Sequence, residues 1–161
     1  MSSIASFYRF HEADLPGLRE AAEPSRRRRG SARDPFWEYV ETRGEPVVEF
    51  DGSGHIFGTL TAFLSEKHDV SWMDSSHADL SRFLCEARQA MAILLTADQR
   101  RRYLSSLESG AFDEASLRAY YSEFNEYDEP DAGSWMLSGI EAIRAALEVV
   151  VDDTVVLMYV G

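Results

Sequence analysis

Five carboxylates stand within nine residues, Glu123, Glu126, Asp128, Glu129 and Asp131, beside Tyr121, Tyr127 and Trp135. Two carboxyl groups held at a fixed separation can act as general acid and as base or nucleophile, the arrangement glycoside hydrolases use. The same crowding in a polar stretch punctuated by Pro130 and Gly133 also describes an exposed acidic loop with aromatic neighbours. Glu126, Asp128, Glu129, Asp131 and Trp135 are therefore read first as a candidate interaction surface. The hydrolytic use of such carboxylates is the alternative.

The four histidines are His11, His55, His68 and His77. His68-Asp69 and His77-Ala78-Asp79 flank Trp72 and Asp74, and two imidazoles plus a carboxylate could bind zinc or iron. No pair has the i, i+4 helical spacing of a metalloprotease, and the segment reads as loop, so solvated histidines are expected and no metal is assigned. Gly52-Ser53-Gly54-His55-Ile56-Phe57-Gly58 spaces its glycines one residue too widely for the dinucleotide fingerprint, and no GK[ST] occurs. A turn feeding a helix accounts for these glycines, and no cofactor is expected. Cys85 sits between apolar neighbours and is expected to be a buried, inert small side chain. No GxSxG is present, so the nucleophile elbow is missing. The sequence contains no assembled catalytic set.

Charge narrows the partners. Across 161 residues there are 28 acidic and 16 basic side chains, a formal net charge of −12. Residues 1–107 carry 16 acidic and 14 basic groups, whereas residues 108–161 carry 12 acidic groups and only Arg118 and Arg144, a net of −10. A phosphate backbone is repelled at long range by such a surface, which argues against nucleic acid; a basic protein is attracted. The dense basic run, Arg26-Arg27-Arg28-Arg29 with Arg33, lies between Pro24-Ser25 and Gly30-Ser31 and reads as a loop. Its arginines could grip phosphate or carboxylates. They are not interleaved with aromatics, so no base-stacking platform is indicated.

The elements that must position these residues follow from the apolar pattern. Ile4–Phe10 reads as a strand. Asp14-Leu15-Pro16 and Asp34-Pro35 each combine an N-cap type with an early proline, predicting helices to about Ala22 and from Phe36 to a stop at Gly44. Pro46–Phe50 is extended and Asp51-Gly52 a turn. Ile56, Leu60, Phe63 and Leu64 share one helical face. Leu80, Phe83, Leu84, Ala87, Met91 and Leu94 form a longer stripe at spacing three and four, predicting one continuous helix. Thr96 and Gln99 match a capping box opening a helix from Ala97 to Glu108. Asp113 or Ser116 starts another, carrying Leu117, Tyr120, Tyr121 and Phe124. Ile140, Ile143, Leu147 and Val150 mark a further buried helical face. Thr154–Val160 is a nearly unbroken apolar run of strand length, which belongs at a sheet centre covered on both faces. Removing it should unfold the protein.

An apolar share of 45% and a charged share of 27% suit a soluble globular protein, and the length suits one domain spanning 1–161. No apolar run reaches the roughly 20 residues of a membrane-spanning helix, and no membrane partner is expected. A single cysteine and no visible secretory signal point to the cytoplasm. The expected fold class is α+β, a small sheet that includes the N- and C-terminal strands, packed with several helices.

With this order of elements the chain resembles the YfbM-like family of small bacterial proteins. Met1–Phe10 looks like that family's opening strand, Leu95-Thr96-Ala97-Asp98-Gln99 like its Leu-Thr-Pro-Glu helix entry, and Ile140 through Val155–Gly161 like its last helix and closing strand. The family's Trp-Asp…Leu-His…Leu-Thr-Gly stretch corresponds to Ser53–Ala62. Leu60-Thr61 match, the tryptophan and the final glycine do not, and His55 is displaced by two, so no role of that histidine carries over. The resemblance implies a fold and imports no activity, because the family has no established one.

Two functional classes follow. The first is a non-enzymatic binding or interaction protein with an acidic C-terminal surface, including an immunity-type protein that blocks a basic toxin by charge complementarity. The second is a small hydrolase using carboxylates or a His/Asp metal site, which requires those groups to converge in a pocket. The sequence favours the first and sets no oligomeric state.

Overall fold

Thr154–Val160 contains no charged side chain and must be shielded on both faces. The computed structural model, which describes residues 3–24 and 33–161, shows how. Among the described residues four strands and seven α-helices run in the order β1 (Ala5–His11), α1 (Leu15–Ala22), α2 (Pro35–Arg43), β2 (Glu45–Val48), α3 (Ile56–His68), α4 (Ala78–Arg88), β3 (Met91–Leu95), α5 (Ala97–Tyr103), α6 (Glu114–Asn125), α7 (Ala132–Glu148) and β4 (Thr154–Val160). The strands form one antiparallel sheet in the order β2-β1-β4-β3. The fold is α+β, and both terminal strands lie in the sheet. The run Arg26–Arg29 lies outside the described residues.

All seven residues of β4 are buried. It pairs with β1 from Ala5↔Val160 to His11↔Thr154, and with β3 from Met91↔Val160 to Leu95↔Val156. Successive side chains of a strand point to opposite faces, so β4 feeds two cores. Val155, Leu157 and Tyr159 pack with α1, α2 and α4 through Leu18, Phe36, Val40 and Leu84. Val156, Met158 and Val160 pack on the other side with α3 and α7, through residues such as Phe57, Leu60, Ile140 and Ile143. The result is three layers, helices on each side of a sheet.

The outer edge of β3 is closed by side chains from α4. Ser81 Oγ accepts the Leu94 N–H at 3.0 Å. Cys85 Sγ accepts the Ala92 N–H and donates to the Ala92 carbonyl, both at 3.3 Å. Unpaired edge groups invite strand pairing with other chains, and these contacts blunt that tendency. The half-buried Cys85 thiol thus has a backbone role beyond filling space. The opposite edge, β2, is four residues long and contains Pro46, which limits pairing in another way. Arg88, at the end of α4, binds the Asp34 carboxylate and lies 4.5 Å above the Phe36 ring. Asp34 also caps α2 by accepting the Phe36 N–H at 3.0 Å.

Three expectations change. The stripe from Leu80 to Leu94 is not one helix. α4 stops at Arg88, Gln89 takes a left-handed conformation at φ 53°, and Met91 opens β3. Met91 and Leu94 fit the helical spacing by coincidence; the run Ala92-Ile93-Leu94-Leu95 is apolar on both faces, which suits a strand covered by helices on each side even at the sheet edge. The helix from Ala97 ends at Tyr103 and tightens into a 3-10 turn over Leu104–Leu107. Asp14 precedes α1, yet its side chain makes no capping bond, and a 3-10 turn over Glu12–Asp14 leads in instead. The Thr96–Gln99 capping box is present. Buried Gln99 does more than cap, because its Nε2 also donates to the Ser71 and Trp72 carbonyls at 3.2 and 3.1 Å.

Two substitutions separate packing from edge satisfaction. Leu157→Ala leaves a cavity at the sheet centre and should cost about 2–5 kcal/mol in urea unfolding. Ser81→Ala removes little volume but strands the Leu94 N–H, and should cost about 1–3 kcal/mol. A neutral Ser81→Ala would show that the edge does not need the hydroxyl.

Candidate functional site

The acidic segment lies between α6 and α7. Asp113 starts α6, its carboxylate accepting the Ser116 N–H at 2.9 Å and the Ser116 hydroxyl at 2.8 Å. The buried face of α6, with Leu117 and Tyr121, rests on the core formed with α7. Glu126 ends α6 in a left-handed conformation at φ 61°, and the chain runs through 127–131 before entering α7. Gly133, in the first turn of α7, permits the close approach to α6, because a Cβ there would run into the Glu114 carbonyl oxygen.

The structure does not treat the five carboxylates alike. Asp128 is held by Arg118, whose Nε and Nη2 donate at 2.9 and 2.5 Å, and by the Ser122 hydroxyl at 3.0 Å. The Arg118 bond first, and Ser122 second, hold its carboxyl below the ordinary aspartate value of 3.8. Its charge is paired with Arg118 at the surface, and the carboxylate stays exposed. Glu126 and Asp131 are exposed, and Glu129 is half-buried with a long 3.5 Å contact to the Asp131 N–H. Glu123 is exposed on α6.

Aromatic side chains accompany the acids. Six large apolar side chains are exposed among the described residues, and three of them, Phe124 at 49%, Tyr127 at 56% and Trp135 at 41%, fall within this short region. They are not loose. Phe124 stacks on Tyr120, with centroids 5.9 Å apart. The Tyr127 hydroxyl is 2.6 Å from that of Tyr121. Burial, and then that bond, push Tyr121 up to about 12. Tyr120 is likewise raised to about 12 by burial and by its hydrogen bond to Glu66. Both phenols are therefore neutral at ordinary pH.

Trp135 faces a different neighbour from the one its sequence position suggests. It lines a groove of about 420 Å3 between the β2–α3 connection and α7, with Phe50, Glu49, Asp51 and Glu141. These last four residues were not among the sequence-derived candidates. Glu49 and Asp51 are more than eighty positions from Trp135 in the chain, and no local pattern announces the meeting.

The histidine candidates are dispersed. His68 lies 5.2 Å from the Phe63 ring and 5.0 Å from the Phe112 ring. His77 Nε2 is 3.0 Å from Glu12 Oε1. Asp74 meets Arg102, and Asp79 meets Arg82. Among the described residues no group of three or more His, Cys, Asp or Glu side chains is arranged to hold a metal ion. The glycines of 52–58 form the entry to α3, where the Gly54 N–H donates to the Ser3 carbonyl at 2.9 Å and a Cβ would crowd the Ile4 and Ala5 backbone. No helix among the described residues is long and apolar enough to cross a membrane.

The Arg118–Asp128 pair gives a pH test with a definite sign. A carboxyl whose folded value is depressed adds stability above its unfolded value, and that contribution is lost as pH falls through the folded value. Carboxyl NMR titration should find Asp128 below 3.8 in the native protein and shifted upward in Arg118→Ala. Equal titration in both proteins would remove Arg118 as the cause.

Compared with models of protein families, with curated proteins and with solved structures, the chain matches nothing.

Proposed function

We propose that this chain is a non-enzymatic interaction protein whose acidic C-terminal surface receives a basic protein partner. The observation that carries the reading is the joint exposure of Glu126, Asp131, Tyr127 and Trp135 within one short region of a third that bears a net charge of −10. Exposed carboxylates supply long-range attraction and orientation. Exposed aromatics supply the desolvated contacts that dominate binding energy at interfaces. Blocking of a basic toxin in the manner of an immunity protein is the form of this activity that the charge best suits. Membership of the YfbM-like family is proposed on the two end segments, the helix entry at Leu95–Gln99 and the order of elements between them. The hydrolase alternative draws no support from the dispersed histidines and the exposed acidic loop.

The test is association with a purified partner. Proteins retained by the immobilised chain at about 0.05 M salt and released at about 0.5 M are identified and purified. They should be rich in Lys and Arg, and their association rate should fall at least roughly tenfold between those salt concentrations. Retention of no protein at low salt, or of proteins whose association ignores salt, would contradict the proposal.

A further inference from the structure

The groove under Trp135 differs from the acidic loop in being a shaped cavity. Its floor is apolar and packs on the core. Phe50 packs on buried Phe57 with ring centroids 4.9 Å apart, and Ala142 of α7 is buried beside it. Gly52 gives the Phe50 ring room to fold back, since a Cβ there would stand 2.6 Å from Phe50 Cζ. One wall is the indole of Trp135. The rim carries Glu49, Asp51 and Glu141, all exposed; among the described residues none of the three is in an ion pair and no basic side chain lines the groove. At about 420 Å3 it is at the small end of ligand clefts, which run from roughly 300 to 1,000 Å3. It has room for one or two side chains.

We infer that this groove is the anchor site for an arginine side chain of a basic protein partner, seated on the Trp135 indole with its guanidinium directed to the rim carboxylates. The inference deepens the proposed function and rests on it. Charge complementarity selects the occupant, because three exposed carboxylates attract a cation and offer a neutral apolar side chain no partner. An aromatic face attracts a cation, and a carboxylate accepts paired N–H bonds from a guanidinium. Arginine satisfies both demands with one planar group, whereas lysine offers a point charge that is harder to desolvate. The acidic loop of 126–131 then steers the approach, and the groove holds what arrives.

The probes are an acetylated tetra-arginine peptide and its tetra-citrulline counterpart, which keeps the shape and loses the charge. The chain has three tryptophans, and the indole N–H of Trp72 is bonded to the Thr61 carbonyl. In NMR spectra at low salt the arginine peptide should shift the indole signal of Trp135 and leave that of Trp72 in place, while the citrulline peptide shifts neither. Trp135→Ala and the isosteric Glu141→Gln should each weaken arginine-peptide binding roughly tenfold. Both positions are exposed, so the fold should tolerate either change. The loop variant Glu126→Gln/Glu129→Gln/Asp131→Asn should weaken it only about twofold, through steering. If the loop variant abolishes binding while Trp135→Ala and Glu141→Gln leave it unchanged, the groove is overturned and the acidic-surface reading survives. If the arginine peptide does not bind the native chain at low salt, both fall. Equal binding of the citrulline peptide also overturns the assignment.

Discussion

A strand buried on both faces and paired on both edges leaves its chain no alternative arrangement. β4 is that strand. Its backbone is committed to β1 and β3, and its six apolar side chains are divided between two separate cores. A one-residue slip in register would exchange every side chain between the two helical layers, setting Tyr159 where Met158 belongs. The helices are positioned by what β4 offers them. α1, α2 and α4 cover Val155, Leu157 and Tyr159, while α3 and α7 cover Val156, Met158 and Val160.

This commitment shapes what the surface can do. α7 spends one face on the core and must present its opposite face outward, and there Trp135 and Glu141 meet the β2–α3 connection. That connection is tied to the core by Phe50 on Phe57, so the groove follows from how α3 and α7 pack on the sheet. The acidic segment before α7 is anchored at both ends, by Arg118 on Asp128 and by the close contact of Gly133 with Glu114. Contacts already made in the free chain reduce the conformational entropy lost when a partner docks, which favours recognition.

Much of this was legible in the residues. Thr154–Val160 declared a central strand by having no polar face to show to water. Asp34, Thr96 and Asp113 announced helix starts because a short side-chain oxygen satisfies free N–H groups there, and each makes that bond. The strand Met91–Leu95 was hidden because Met91 and Leu94 continue the helical spacing of the preceding stripe. The reversal at Gln89 is made by a residue that has no turn chemistry to advertise it. The surface was legible in part. The composition of residues 123–135 showed the acids and aromatics, but not that Arg118 occupies Asp128. The groove was not legible at all, since Glu49, Asp51 and Glu141 are joined to Trp135 by the fold and by no feature of the chain between them.

The dependence of the fold on β4 is tested most directly by native-state hydrogen exchange, which reports the free energy of opening at each amide. If β4 is the element on which both cores close, the amides of Val155 to Tyr159 should exchange only through global unfolding, with a denaturant dependence matching that of the whole protein, while those of the edge strand β2 open locally at lower cost. Exchange of the β4 amides by local opening, as easily as β2, would contradict the account.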